Sequence, residues 1–134
     1  MTRVRRATAA VWVSVTALSL AGVVLTVMAW GHLKTSDTVN NLTRAPSAVL
    51  YATLGALVVR RAGNVIGWFL LGIGAGLAVQ TFASAYAVLG ITHPGTLPAP
   101  ELVGLLAEWS FVPVFSATVF MLLLFPPGTL PSPR

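Results

Sequence analysis

The sequence predicts an all-α integral membrane protein with four transmembrane helices and both termini on the cytoplasmic side. Three observations predict it. Four apolar segments run through a chain of 134 residues. Hydrophobic residues make up 56% of the chain and charged residues only 8%, against about 25% charged in an ordinary soluble domain. The few arginines cluster at the ends of apolar runs, and four spans would gather all but Arg44 on one side. A soluble protein this poor in charge could not cover its surface, so no soluble domain is expected and the bilayer is the first partner.

The first segment spans about 7–33 and holds no charge. Arginines before an apolar stretch also fit a signal peptide. Its apolar core is about twice the usual length, however, and no good small-x-small cleavage site follows. The second segment is short, from about 45 to 59. It reaches the roughly 20 apolar residues of a span only by recruiting the polar stretch Val39-Asn40-Asn41-Leu42-Thr43, so the span is set at 42–59. Pro46 there suits a first helical turn, where its missing N–H costs nothing. The third segment covers 65–91 and the fourth 102–125. Pro113 should kink the fourth near its outer half.

Orientation follows from the cations. Four spans place Arg3, Arg5, Arg6, Arg60, Arg61 and Arg134 on one side and only Lys34 and Arg44 on the other. The positive-inside rule makes the first side cytoplasmic. Trp12, Trp30, Trp68 and Trp109 each fall near a predicted interface, where amphipathic indoles anchor. The net charge of +5 is no nucleic-acid signal, because the chain carries no basic face with interleaved aromatics. With no cysteine, disulfides, thiolate metal sites and thiol catalysis are excluded.

Two features inside the spans point to interaction or chemistry. Gly72 and Gly76 form GxxxG, and Gln80 and Ser84 continue the same i, i+4 series. Small residues let helices approach, and an amide or hydroxyl can bond across the contact. This face packs either inside the four-helix unit or against a second copy or another membrane helix. The glycines are no dinucleotide loop, since they lack GxGxxG spacing and lie within an apolar helix. Glu108 is the one acid inside a span, and intramembrane acids are functional candidates by default. It lies only about 8–10 Å from the outer end at the helical rise per residue, within reach of the interface. His32 and His93 both fall in predicted outer loops and make a weak metal pair. No metal or cofactor is expected. No serine, histidine and acid are placed as a catalytic triad, and no phosphate-cradling loop exists.

Three stretches in order resemble one family. They are Arg60-Arg61-Ala62-Gly63-Asn64-Val65-Ile66-Gly67-Trp68, then Phe82-Ala83-Ser84-Ala85-Tyr86-Ala87, then Leu124-Phe125-Pro126-Pro127-Gly128-Thr129-Leu130-Pro131-Ser132-Pro133-Arg134. Together they resemble the N-terminal multi-span region of actinobacterial two-component sensor histidine kinases. There an Arg-rich turn leads to Gly-Asn-Pro-Ile-Gly-Trp, and a later span ends in Phe-Pro-Asp-Gly-Arg-Leu-Pro-Ser. The chain departs from that pattern at Val65, Pro127 and Thr129. The resemblance implies the membrane input portion of such a kinase, in a bacterial cytoplasmic membrane, with signal leaving through the Phe125–Pro131 junction. It also implies that the phosphoacceptor and ATP-binding domains are missing from these residues. The chain is then expected to be a fragment without kinase activity of its own. The alternative is a stand-alone small four-helix protein, either a transporter subunit or a regulatory partner of another membrane protein.

Overall fold

A computed structural model describes residues 2–124, with side chains from Arg3 onward; the junction motif from Phe125 to Arg134 lies outside the described residues. Five helices follow one another: α1 (Thr2–Met28), α2 (Thr35–Ala62), α3 (Val65–Thr92), α4 (Pro100–Trp109) and α5 (Phe111–Leu124). No strand occurs among the described residues. With α4 and α5 taken as one interrupted rod, four helices among the described residues are long and apolar enough to cross a membrane.

The turns explain the up-and-down course. Gly31 takes φ 94° just past α1, a conformation open to glycine and costly for residues with a Cβ. Gly63 is the left-handed C-cap of α2 at φ 61°, and its N–H donates to the Val59 carbonyl. Asn64 then caps α3, its Oδ1 accepting from the Ile66 N–H at 3.1 Å. Gly-Asn is thus a complete reversal between two long helices. Val65 occupies the first position of α3, where proline is tolerated because no helical N–H bond is needed there.

The helix bounds differ from the expected ones for local reasons. The second helix begins at Thr35, not near 42, so Pro46 lies inside it and not in its first turn. The polar stretch enters the helix because its side chains find partners. Thr43 bonds back to the Val39 and Asn40 carbonyls, Ser47 to the Thr43 carbonyl, and Asn41 reaches the neighbouring helices. The fourth span is two helices, interrupted at Ser110. Pro113 has no N–H for the Trp109 carbonyl, which is where the helical ladder lapses.

α3 is the hub. Its backbone runs close to every other helix, whereas α4 and α5 come close to α3 and to each other only. The tightest seam joins α2 and α3. Ala48, Ala52 and Ala56 of α2 are buried against Leu71 and Ala78 of α3. A Cβ on Gly55 would lie 2.7 Å from both the Gly67 carbonyl oxygen and the Leu71 nitrogen, and one on Gly74 2.7 Å from the Ala48 carbonyl oxygen. Small residues at these points let two backbones nearly touch, which is how helices associate where hydrocarbon removes the hydrophobic drive. α1 joins α2 through polar ties at three heights: Arg60 Nε donates to Thr8 Oγ1 at 3.3 Å, Trp12 Nε1 to Thr53 Oγ1 at 2.9 Å, and Asn41 Nδ2 to Thr26 Oγ1 at 3.3 Å.

A polar cleft between three helices

Asn41 is 1% exposed and both ends of its carboxamide are used. Nδ2 donates to Thr26 of α1, and Oδ1 accepts from Ser84 Oγ of α3 at 3.0 Å. One amide therefore ties three helices together. A buried amide in hydrocarbon demands such partners, since an unpaired one costs several kcal/mol, about 4–8 on the cyclohexane scale.

Beside this node lies a cleft of about 480 Å³ between α2, α3 and the fourth span. Its polar walls are Asp37, Asn41 and Arg44 of α2, Gln80 and Ser84 of α3, and Glu108 of α4. The spacing is that of single helix faces: 37, 41 and 44 on α2, 80 and 84 on α3, and 104, 107, 108 and 111 on the fourth span. The cleft exists because α4 nestles on α3 through small groups and leaves α2 apart. A Cβ on Gly104 would meet that of Ala87 at 3.2 Å, and one on Gly90 would meet the Pro100 Cβ at 2.5 Å. Glu108 lies about 12 Å along α4 from Pro100, and Gln80 about 18 Å along α3 from Thr92, at the helical rise per residue. The polar lining thus extends from one end of the bundle to about its middle.

Gln80 is 8% exposed, and its amide has no hydrogen-bond partner among the described residues. Asp37, Arg44 and Glu108 form no ion pair with one another within 4.0 Å. Groups of both signs thus face one space without neutralising each other directly. Arg44 is half-buried, while Asp37 and Glu108 are exposed to the open space around the bundle.

The remaining residues singled out in the sequence scatter. Gly72 is exposed, and a Cβ there would find no heavy atom within 4 Å. Gly76 packs on the fourth span, where a Cβ would collide with Val114. The GxxxG pair is therefore split, and Gly55, Gly67 and Gly74 make the close helix contact in its place. Trp12 and Trp109 lie well along their helices, Trp68 near the start of α3, and Trp30 just past α1. All four are exposed, Trp12 with its indole N–H held by Thr53. His32 and His93 meet edge to face, ring centroids 5.5 Å apart, joining the α1–α2 and α3–α4 connections. Among the described residues no three histidine or acidic side chains gather to hold a metal.

Sequence reasoning missed Asp37 and Arg44 as lining residues, because it set Asp37 before the second span and counted Arg44 at the outer end of that span as an orientation charge only. The available signal was the polar spacing 37, 41, 44 leading without a break into the small residues of the same helix. No protein-family model matches the chain, and no curated protein or solved structure was found similar to it.

Proposed function

We propose that the chain is a membrane-embedded sensory input module, of the kind that feeds a two-component histidine kinase in a bacterial cytoplasmic membrane. The observation that carries this reading is the cleft and its mechanical setting. A polar, incompletely paired space opens between α2 and α4, two elements that do not otherwise approach each other. Whatever fills it bears on both. The fourth span is attached through α3 alone, so a shift of α4 passes along α5 towards residue 125 without breaking the tighter α1–α2–α3 packing.

The resemblance at Arg60–Trp68 and Phe125–Pro131 supplies the kinase assignment. The arginine distribution supplies the orientation, with the α2–α3 turn cytoplasmic and the cleft opening outward. The chain's partners are then the bilayer and a second copy or other membrane helices. The phosphoacceptor and the ATP-binding domain would come from sequence outside these residues.

The test is a fusion of residues 1–134 to a dimerising histidine kinase core, assayed for autophosphorylation in membranes. Ala107→Phe and Ser84→Leu, which fill the cleft, are expected to change the phosphorylation level about fivefold or more, the scale of ordinary coupling free energies. If both variants insert normally and the level stays that of the parent fusion, the sensory reading fails. The interrupted fourth span beside Glu108 favours a second reading, a stand-alone transporter subunit. Proton-driven uptake into vesicles, lost on Glu108→Gln, would decide for it.

A further inference from the structure

We infer that the cleft binds a small amphoteric molecule carrying an ammonium group, a carboxylate and a short apolar side, the chemistry of a neutral α-amino acid. The inference rests on reading the cleft as the input site and names what enters it.

The volume, about 480 Å³, falls in the ordinary range for small-molecule sites, roughly 300–1,000 Å³. The wall carries both signs of charge. Arg44 stands on α2 and Glu108 across from it on α4, with Asp37 further toward the end of α2. A simple anion would meet Glu108 and Asp37 unfavourably, and a simple cation would meet Arg44. A molecule bearing both charges satisfies both walls. Asp37 lies only about 3 Å along α2 from its start, whereas Arg44 lies about 13 Å along α2 and Glu108 about 12 Å along α4, so at that depth the wall carries one charge of each sign. A ligand of no net charge leaves that balance intact, which matters where hydrocarbon surrounds the site.

Gln80 is the independent sign of a ligand. The residue is 8% exposed, lines the cleft and makes no side-chain hydrogen bond among the described residues, so what accessibility its side chain keeps is toward the cleft. An amide facing the cleft can donate to a carboxylate or accept from an ammonium group. Arg44 offers a planar fork of donors suited to a carboxylate. Glu108 accepts from an ammonium group. Val88 and Phe111 supply an apolar wall for an aliphatic side chain.

The test uses the intact chain in lipid nanodiscs with tritiated L-leucine as the probe. Two analogues compete: isoamylamine, which lacks the carboxylate, and 4-methylpentanoate, which lacks the amine. Saturable leucine binding is expected, with each analogue about tenfold or more weaker, as loss of one charge-assisted contact implies. Arg44→Gln and Glu108→Gln should each weaken leucine binding by a similar factor, while Gly72→Ala leaves it unchanged. Isoamylamine competing as well as leucine, with Arg44→Gln neutral, would show a cation site and overturn the inference. So would the absence of saturable leucine binding in protein that elutes as a single folded species. Competition needs no variant, so the result stands even if a substitution disturbs folding. The outcomes separate from those of the kinase fusion. Cleft-filling variants that alter output without leucine binding remove the ligand class and leave the sensory reading. Leucine binding without any effect on output does the reverse.

Discussion

Gly55→Leu and Gly74→Leu are expected to cause the largest losses of folded stability in detergent or lipid. At both sites the two atoms nearest the missing side chain belong to backbone. A Cβ on Gly55 would press on the Gly67 oxygen and the Leu71 nitrogen at 2.7 Å, and one on Gly74 on the Ala48 oxygen at 2.7 Å and the Ala52 nitrogen at 2.9 Å. A flexible side chain could rotate away, but a helix backbone cannot. The two helices must separate, and the whole α2–α3 seam then loses its van der Waals contacts, the main attraction available between helices in lipid. Overpacking in ordinary cores costs about 1–3 kcal/mol and sometimes more; with backbone on both sides the loss is expected to reach about 3 kcal/mol or beyond. Reversible unfolding followed by circular dichroism, together with elution as a single species, measures it. Gly72→Leu is the matched control. Nothing lies within 4 Å of its Cβ position, so its stability should stay within about 0.5 kcal/mol of the parent.

Asn41→Leu is expected to give the second largest loss. Among the described residues Asn41 is the one side chain of α2 that bonds to both α1 and α3. Removing it takes away two side-chain hydrogen bonds, each worth about 0.6 kcal/mol on average and up to about 1.7 within membranes. Ser84 keeps the Thr81 carbonyl within 3.3 Å and Thr26 keeps the Gly22 carbonyl at 2.7 Å, so neither hydroxyl is stranded. Leucine, however, must fit a space shaped for a flat amide. The total is expected near 2 kcal/mol, combining both bonds with moderate misfit. A double-mutant cycle with Ser84→Ala should return a coupling of about 0.5–1.5 kcal/mol. A coupling of zero would mean that the Ser84–Asn41 bond adds nothing to stability.

Much of the fold was legible because the chain is so poor in charge. Unbroken apolar runs predict α1 and α3, and the paired Arg60-Arg61 marks the connection before α3. The start of α2 was not legible, since nothing in a single sequence shows that Asn41 will be met by Thr26 and Ser84. Without those partners a buried asparagine looks like a loop residue. Pro113 announced a kink, but the interruption falls at Ser110, one helical turn earlier, where the proline leaves a carbonyl without a donor.

The glycine signal marked one packing face and passed over a closer one: Gly76 packs on the fourth span and Ser84 bonds to Asn41, while Gly72 meets nothing within the described residues. Gly72-x-x-x-Gly76 matches a known spacing, yet spacing does not say which face a neighbour will take. At 3.6 residues per turn, 67, 71, 74 and 78 share a face, and 72 and 76 lie off it. That shared face meets α2. For the site, Gln80, Ser84 and Glu108 were visible separately as polar residues in apolar segments. Their convergence with Asp37 and Arg44 depends on α4 standing off from α2, a tertiary property.

The most direct test of this account is cysteine accessibility in intact cells, and the chain contains no cysteine of its own. Single variants Thr96→Cys, Ala107→Cys, Ala62→Cys and Leu20→Cys report the far connection, the cleft wall, the α2–α3 turn and the outer surface of α1. Thiol reagents attack the thiolate, so a charged, membrane-impermeant reagent marks only positions that water reaches. Modification of Thr96→Cys and Ala107→Cys from outside is expected, with Ala62→Cys reacting only after permeabilisation and Leu20→Cys not at all. If Ala62→Cys and Thr96→Cys react from the same side, or Ala107→Cys is as inert as Leu20→Cys, there is no outward-facing wet cleft in a four-span bundle.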